Sequence, residues 1–458
     1  MTAEAAPVSM TSPATARRGL SAAIAGGVVE SFDWACYGVL APSFASDVFP
    51  GGDHGAKVIG AYATFAVGFL FRPLGGMILG RMSDVRGRRF TFSLSVTVIA
   101  LASLVMAVTP GHRVLGAGSA VIFILARIVQ GLSAGGEAPT VAAYVAETAP
   151  GSRRYLYSAL SYGGLIFGSI LAFAVLAVLT AAVGKSGVEN GGWRIGFAVS
   201  ACCGLVALWI RRRAPESPEY RRQAAASRSG AAGADGRVPL LPALLAHRRQ
   251  SLAIFLITVG GTVGFYFGTL YLPTYAHEVG AVGSVTSAAV QIDLAMVGLI
   301  AVMAGFGNLA DRIDGLRVMR VTAVVECVVT PPLMIALNSG TLPFLVVAAC
   351  YLVAFAPGLA IGYVLGARLF PVSIRSVGFG IPGAVAGAVF GGTFLLVAHA
   401  LSNAGHITLV PWYATACAAL GVVGVFLIRP TDFYTAEFTD PAATVPQGRR
   451  VDGVVSER

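Results

Sequence analysis

The sequence predicts an all-α polytopic membrane protein in which twelve transmembrane helices form two pseudo-symmetric six-helix bundles. Of its 458 residues, 56% are hydrophobic and only 12% are charged, which is about half the charged fraction of a soluble globular protein. Apolar segments long enough to cross a bilayer recur about twelve times along the chain. A short glycine–aspartate motif follows both the second and the eighth of these segments. Together these observations favour a membrane protein built from two related halves.

Hydropathy gives about twelve candidate spans, which the polar segment after residue 211 divides into six and six. The first apolar segment continues past Glu30 and Asp33 without a convincing cleavage site, so we expect a retained helix and not a removed signal peptide. The approximate limits of the spans are 20–46, 57–80, 90–109, 116–147, 153–182, 193–211, 251–276, 284–310, 317–337, 342–367, 375–402 and 407–428. The predicted domains are an N-terminal tail 1–19, a six-helix bundle 20–211, a linker 212–250, a second six-helix bundle 251–428 and a C-terminal tail 429–458.

The arginines are distributed unequally between the two sets of connections. One set, together with both ends of the chain, holds most of them, including Arg211 at the boundary between the sixth span and the linker. The opposite set holds only Lys57, Arg113, Lys185 and Arg194. Because cytoplasmic loops carry an excess of arginine and lysine, we expect both termini and the linker to be cytoplasmic. The formal net charge of +10 is therefore interpreted as a topology signal, and no nucleic-acid partner is expected.

The two halves repeat one motif at the same place. After the second span the chain reads Gly80-Arg81-Met82-Ser83-Asp84-Val85-Arg86-Gly87-Arg88-Arg89. After the eighth it reads Gly307-Asn308-Leu309-Ala310-Asp311-Arg312-Ile313-Asp314-Gly315. Two related six-helix halves that meet around a site in the middle of the membrane are the architecture of a secondary transporter.

Further motifs lie in and beside the apolar segments. They are Phe71-Arg72-Pro73-Leu74-Gly75-Gly76, the stretch from Arg127 to Glu137, Gly192-Trp193-Arg194, Glu216-Ser217-Pro218-Glu219-Tyr220, Tyr271-Leu272-Pro273-Thr274-Tyr275, Leu369-Phe370-Pro371 with Arg375, and Phe390-Gly391-Gly392. With these motifs and the repeated one, the chain resembles the major facilitator superfamily, and within it the metabolite:proton symporters, from about Gly26 to about Ile428. The resemblance implies a twelve-helix secondary transporter of the bacterial inner membrane.

The resemblance also implies that the repeated motif is a cytoplasmic gate. The Asp84 carboxylate is then expected near the N-terminus of a helix in the other half, where the helix dipole favours negative charge, and it would stabilise the outward-open state. The alternative is a solvated loop whose arginines only set the topology. The expected gate residues are Gly80, Asp84, Arg86, Gly87, Arg88 and Arg89, with Asp311 and Arg312 in the second copy.

Several charged residues lie within the predicted spans, where a membrane protein keeps them only facing its interior or a water-filled cavity. Glu30 and Asp33 are three residues apart, so they share one face of the first helix. In sugar–proton symporters of the superfamily a first-helix aspartate pairs with a fourth-helix arginine, and Asp33 with Arg127 resembles that pair. The alternative is a static salt bridge. The expected proton-coupling residues are Asp33, Glu30, Arg127 and Glu137.

Arg72 is the first candidate for contact with a substrate. Its planar guanidinium suits a carboxylate, and its partner is Glu30, Glu137 or an anionic substrate. Aromatic residues on the central helices, with Trp34 among them, either line a cavity or pack internally. Asp293 and Glu326 are either functional or paired internally. The expected substrate-binding residues are Arg72, Arg127, Tyr37, Tyr266, Tyr271 and Tyr275.

These features predict a proton-coupled symporter that imports a small organic acid, such as a di- or tricarboxylate, across the inner membrane by alternating access. The alternative substrate is a zwitterionic osmolyte such as proline or betaine. A drug–proton antiporter and a non-transporting membrane sensor are less favoured. All six cysteines fall in apolar segments, and no Cys/His spacing suggests a metal site. We expect no cofactor and no enzymatic activity, with a monomer in the lipid bilayer that binds a small-molecule metabolite and protons.

Overall fold

The structure is a computed structural model of the chain, and it describes residues 13–217, 220–221 and 240–434. Parts of both predicted tails and of the predicted linker lie outside the described residues. Within these ranges the chain forms helices and turns without a β-strand. The all-α prediction is therefore confirmed.

Twelve long helices form the fold in the described ranges, and each overlaps one predicted span. In the first half they are α1 (Pro13–Val48), α2 (His54–Arg86), α3 (Arg88–Val108), α4 (Gly118–Thr148), α5 (Arg154–Gly187) and α6 (Trp193–Arg212). In the second half they are α7 (Arg248–Glu278), α8 (Val285–Arg312), α9 (Gly315–Asn338), α10 (Phe344–Ala367), α11 (Arg375–Ala386, continued by Gly387–Gly391 and Gly392–Asn403) and α12 (Leu409–Leu427). A π-helical turn interrupts α7 at Phe267–Tyr271 and α11 at Gly387–Gly391.

By length and apolar composition, ten helical segments within the described ranges are able to cross a membrane. Two of the twelve helices are not counted separately among these ten. The segment Gly151–Arg212 contains both α5 and α6, which are joined through the π-helical turn Val188–Gly192. Gly184, near the end of α5, and Gly191, in the turn, have φ values of 71° and 109°. The other difference is α1, which is not among the ten segments and carries Glu30 and Asp33 near its middle.

Helices of the same half pack against one another, and several further pairs, among them the two named below, join the halves. In the first half α1 packs on α5, α2 on α4 and α3 on α6. In the second half α7 packs on α12, and α10 packs on both α8 and α9. The halves meet where α2 contacts α11 and where α5 contacts α8. In the order of helices within each half, α2 corresponds to α8 and α5 corresponds to α11, so the two contacts are equivalent. The interface therefore follows the internal symmetry that the repeated motif predicts.

Glycines let α2 and α4 approach closely. A Cβ atom added at Gly131 would lie 2.1 Å from the Gly68 carbonyl oxygen, and one added at Gly135 would lie 2.0 Å from that of Arg72. On α2, a Cβ atom at Gly75 would lie 2.0 Å from the Leu132 carbonyl oxygen. Small residues at a crossing allow the two backbones to touch. This crossing fixes the part of α2 that presents Arg72 to the middle of the molecule.

Candidate functional site

Asp33 and Arg127 meet across α1 and α4, and both side chains are fully buried. The Nη1 atom of Arg127 lies 3.4 Å from Oδ2 of Asp33 and donates to Oε1 of Gln130 at 2.7 Å. The hydroxyls of Ser103 and Ser200 donate to Oδ1 of Asp33. Within the described part of the chain, Nε and Nη2 of Arg127 have no hydrogen-bond partner. The ion pair is therefore long and leaves donors unsatisfied.

Aromatic rings compensate part of the Arg127 charge. Its guanidinium carbon lies 3.6 Å from the centroid of the Tyr37 ring and 4.9 Å from that of Trp34. A cation held over an aromatic face is attracted by the ring quadrupole. The Tyr37 hydroxyl itself donates to the Ala61 carbonyl oxygen at 3.1 Å. The Tyr37 ring thus stabilises the Arg127 guanidinium, while the Tyr37 hydroxyl group is hydrogen-bonded to the backbone of α2.

Arg72 is held between two aromatic rings and has no carboxylate bound to it. Its guanidinium carbon lies 4.2 Å from the Trp34 ring centroid and 4.3 Å from that of Phe69. Among the described residues Arg72 forms no ion pair, and its buried Nε atom has no hydrogen-bond partner. Glu30 lies near enough to interact electrostatically with Arg72. Arg72 is thus a guanidinium with free donors that faces a carboxyl group.

Tyrosines from both halves surround Arg72 and Glu30. The rings of Tyr162 on α5 and Tyr363 on α10 are 5.2 Å apart, and the Tyr266 ring on α7 is 6.2 Å from that of Phe69. All three tyrosines lie within electrostatic range of Arg72 and Glu30. We call the following residues the central cluster: Glu30, Trp34, Phe69, Arg72, Tyr162, Tyr266 and Tyr363.

The sequence prediction missed Tyr162 and Tyr363. Both lie in predicted spans, but neither belongs to a motif, and the sequence does not show that α5 and α10 are neighbours. The prediction also included Tyr271 and Tyr275, which the structure places within the second half. Their hydroxyls donate to the Ala398 carbonyl oxygen at 3.4 Å and to Asn338 Oδ1 at 2.9 Å. Of the four predicted tyrosines, only Tyr266 joins the central cluster.

Glu137 is paired with Arg211, and this partner differs from the sequence expectation. Arg211 binds both oxygens of the Glu137 carboxylate, with Nη1 at 3.1 Å from Oε2, and the Ser95 hydroxyl donates to the same oxygen. The sequence places Arg211 in a cytoplasmic connection, but its side chain is fully buried. The reason is that α6 continues to Arg212, so Arg211 folds back among the helices. A Cβ atom added at Gly26 would overlap its guanidinium, so this glycine provides the space.

The first copy of the repeated motif bridges the two halves at the end of the bundles where Arg88 and Arg375 lie. We call this the arginine-rich end. Asp84 accepts hydrogen bonds from the backbone N–H groups of Ser376 and Val377, each at 3.2 Å, at the start of α11. Arg88 donates to Oδ1 of Asp84 at 2.7 Å. The Asp84 carboxylate therefore lies at a helix N-terminus of the other half.

Glu147, at the end of α4, is held by two arginines from different halves. Oε1 accepts from Arg88 Nη2 at 3.0 Å and from Arg375 Nη1 at 3.1 Å. The Ser217 hydroxyl donates to Oε2 at 2.5 Å. All these side chains are buried. Glu147 and Arg375 are missing from the predicted gate, although both lie in or beside the quoted motifs.

The second copy of the motif makes the equivalent contact with the other half. Asp311 accepts hydrogen bonds from the backbone N–H groups of Tyr155 and Leu156, at 2.8 and 2.9 Å, at the start of α5. The extra Asp314 caps the start of α9 by accepting from Leu316 and Arg317. It therefore leaves the contact of Asp311 intact.

The remaining predicted gate residues fall into two groups. Gly80 lies against α11, where an added Cβ atom would be 3.4 Å from Val377, and Gly87 adopts a φ of 105° between α2 and α3. Glu216 accepts from the backbone N–H of Arg88 at 3.0 Å, and burial raises the pKa of its carboxyl group. The side chains of the other predicted gate residues, Arg86, Arg89 and Arg312, are exposed.

Within the described ranges, no group of three His, Cys, Asp or Glu side chains is placed to hold a metal ion. The chemistry that the site offers is instead that of carboxyl groups, guanidinium groups and aromatic rings. Carboxyl groups exchange protons, and guanidinium groups bind carboxylates.

Comparison with known proteins gives the same architecture. The chain is 33% identical to the alpha-ketoglutarate permease of Escherichia coli over 92% of this chain and 96% of that protein. It is 28% identical to the shikimate transporter of Escherichia coli (90% and 94% covered) and 27% identical to the ectoine/proline transporter ProP of Corynebacterium glutamicum (88% and 82%). The solved proton:xylose symporter XylE aligns with a TM-score of 0.69 at 19% identity, covering 90% of this chain and 95% of XylE. The human organic anion transporter MFSD10 aligns with a TM-score of 0.61 at 16% identity, covering 90% and 99%.

The model of one protein family matches most of the chain. This match runs from residue 23 to residue 381 and thus includes most of the first half and the helices α7 to α10. The repeated motif, the twelve helices and the relatives agree with it. The chain is therefore a multi-pass membrane transport protein that belongs to the Major Facilitator Superfamily.

Proposed function

We propose that this protein is a proton-coupled symporter that imports a small organic acid across the bacterial inner membrane by alternating access. The observation that carries the proposal is Arg72, a guanidinium with free donors that faces Glu30 inside a cluster built by both halves. A di- or tricarboxylate offers the planar carboxylate that such a fork binds. The similarity to an alpha-ketoglutarate permease and a shikimate transporter supports the same substrate class.

The coupling follows from competition for Arg72. When Glu30 is ionised, its carboxylate competes with the substrate for the guanidinium. A proton on Glu30 removes this competition, so the protonated protein binds the anion more tightly. A ligand shifts an equilibrium only as far as its affinities for the two states differ, and this competition supplies such a difference.

Asp33 and Arg127 have a second role in the proposal. Their ion pair joins α1 to α4 at 3.4 Å, and protonation of Asp33 removes its charge. Arg127 already has unsatisfied donors and rests on aromatic rings, so it keeps part of its stabilisation when Asp33 becomes neutral. Loss of the pair then allows α1 and α4 to shift relative to each other during the transport cycle.

Under this proposal, the contacts between the halves at the arginine-rich end indicate which state of the transport cycle the structure represents. Asp84 and Asp311 both cap helices of the opposite half, and Glu147 joins arginines of both halves. The proposed topology places both termini and the linker in the cytoplasm, so the arginine-rich end is the cytoplasmic end. The structure then corresponds to a state that is closed towards the cytoplasm.

A zwitterionic osmolyte is the second candidate substrate, and a specific feature of the central cluster favours it. One cation, Arg72, lies beside the Trp34 ring, and one carboxyl group, Glu30, lies within electrostatic range of that cation. A molecule such as betaine would place its carboxylate on Arg72 and its quaternary ammonium on the aromatic faces. Several relatives are proline/betaine transporters, at 25 to 26% identity.

Uptake into proteoliposomes with an imposed inward proton gradient tests the proposal. The panel is radiolabelled 2-oxoglutarate, citrate, shikimate, proline and betaine. We expect accumulation of one organic acid above its external concentration, abolished by a protonophore. Accumulation of proline or betaine instead would establish the second candidate, and accumulation that survives the protonophore would contradict proton coupling.

A further inference from the structure

A carboxyl group with an unusual environment lies in the second half, away from the central cluster. Glu326 is at the middle of α9 (Gly315–Asn338), and its side chain is half-buried. A Cβ atom built at Gly264 on α7 would lie 3.1 Å from Glu326 Oε1 and 3.2 Å from the Tyr351 hydroxyl oxygen on α10. The carboxyl group therefore projects into the junction of α7, α9 and α10.

Within the described part of the chain, Glu326 has no cationic partner. Its carboxyl group forms neither an ion pair nor a hydrogen bond with any described residue. The buried carboxylates of the first half differ, since arginines bind Asp33, Glu137 and Glu147. An ionised carboxyl group without a partner is expensive at the middle of a membrane.

The groups around Glu326 fit a carboxylic acid better than a carboxylate. The Tyr351 hydroxyl donates its single hydrogen to the Gly264 carbonyl oxygen at 2.9 Å, so it has only acceptor capacity left for Glu326. Gly264 has no side chain, and Cys327 on the same helix is a weak donor. A carboxylic acid has an O–H group to donate towards the Tyr351 oxygen, whereas a carboxylate has none.

We propose that Glu326 is a second proton-binding site, separate from Glu30 and Asp33. One carboxylate oxygen gains a proton from a hydronium ion of the solvent, which leaves water, and the resulting O–H group turns towards the Tyr351 hydroxyl oxygen. The proton is bound at neutral pH in the state that the structure represents.

The position of Glu326 connects this proton to the central cluster. Gly264 is two residues from Tyr266, which contacts Phe69, and α7 becomes π-helical directly after Tyr266. Single π-helical turns frequently occur at functional sites. The same segment of α7 therefore faces the central cluster through Tyr266, and it lies against Glu326 at Gly264. On the proposed transport cycle, a movement of α7 changes the surroundings of both.

Infrared spectroscopy of the reconstituted protein tests the proposal without requiring transport. We expect a carbonyl stretching band of a protonated carboxyl group at neutral pH in the unmodified protein. Glu326→Gln should remove this band, and the matched variant Glu278→Gln should retain it, because Glu278 is exposed near the end of α7. Alkaline titration should remove the band from the unmodified protein.

Glu326→Asp is a second variant that controls for a folding defect in Glu326→Gln. It retains a carboxyl group, so the band should move in frequency and remain present. Identical spectra of the unmodified protein and Glu326→Gln, with both variants folded, would overturn the proposal. Since no substrate is added, this outcome is independent of the uptake experiment and of the proposed substrate class.

Discussion

Buried charges in this protein are nearly all matched one against another, and the exceptions indicate function. Asp33, Glu137 and Glu147 each contact a buried arginine. Among the described residues, Arg72 and Glu30 lie within electrostatic range of each other and form no ion pair. A permanent structural pair would be expected to close to hydrogen-bond distance, as Arg211 and Glu137 do. The open pair of Arg72 and Glu30 therefore fits a site that exchanges partners.

Replacing Arg72 should remove substrate binding while leaving the fold intact. The guanidinium contacts aromatic rings and no carboxylate, so Arg72→Gln leaves no unpaired anion in direct contact. We expect substrate affinity to fall about 100-fold, which corresponds to loss of a charge-assisted interaction of about 3 kcal/mol. Titration calorimetry measures this change. Arg113→Gln is the control, because Arg113 is exposed at the other end of the molecule, and equal affinities of the two variants would contradict the assignment.

Replacing Glu137 should lower the stability of the protein, whereas replacing Arg72 should lower substrate affinity. Glu137→Gln leaves the Arg211 guanidinium buried without its counter-ion, and breaking a buried pair costs about 3–5 kcal/mol. The thermal unfolding temperature in detergent should fall clearly. Arg211→Met combined with Glu137→Gln should recover part of the loss, since no unpaired charge remains. The control is Glu189→Gln, which breaks the exposed pair with Lys185 and should change stability little. A neutral effect of Glu137→Gln would argue against a structural pair.

At the level of helices, the glycines between α2 and α4 determine where Arg72 lies. Gly135→Ala places a methyl group about 2.0 Å from the Arg72 carbonyl oxygen, so the two helices must separate. We expect uptake to be lost although every charged residue is retained. Gly298→Ala is the matched control, since no atom lies within 4 Å of the added group. Normal uptake by Gly135→Ala would show that this crossing does not position the site.

The helix ends at the interface lead to a prediction about opening. Asp84→Asn weakens the contacts to Arg88 and to the start of α11, so the arginine-rich end should open more often. Spin labels at positions 85 and 312, which are exposed on different halves, report this as a longer distance in pulsed electron resonance. Asp311→Asn should produce a smaller increase, because Asp311 is only half-buried, and the hydrogen bonds found for its carboxylate among the described residues come from backbone N–H groups. A distance distribution unchanged by Asp84→Asn would contradict a gate.

The helices were predictable from sequence, whereas their partners were not. Apolar length and the glycine–aspartate repeat are local properties, and they led to helices close to the predicted spans. Partner choice depends on which faces meet. Arg211 lies at the end of an apolar segment, so its sequence position indicates a loop residue. In the structure it binds Glu137 within the bundle. In the same way, Tyr162 and Tyr363 are unremarkable in sequence and meet only when α5 packs against α10.

For the whole molecule, the two halves share an architecture but differ in chemistry. Asp84 and Asp311 cap helices of the opposite half in equivalent positions. The buried ion pairs that include Asp33 and Glu137 lie in the first half. The second half contributes Tyr266 and Tyr363 to the central cluster and carries the unpaired Glu326. We infer that the Glu30 carboxylate and the substrate compete for Arg72 on the first half, while the second half closes over them.

The pH dependence of substrate affinity, compared between the unmodified protein and Glu30→Gln, tests this competition most directly. The substrate is the compound that accumulates in the uptake panel, and Glu278→Gln is the control. We predict that the dissociation constant of the unmodified protein rises with pH, by up to about tenfold per pH unit once Glu30 is ionised. Glu30→Gln should bind tightly across the same range. If Glu30→Gln retained the pH dependence of the unmodified protein, competition between Glu30 and the substrate for Arg72 would be ruled out.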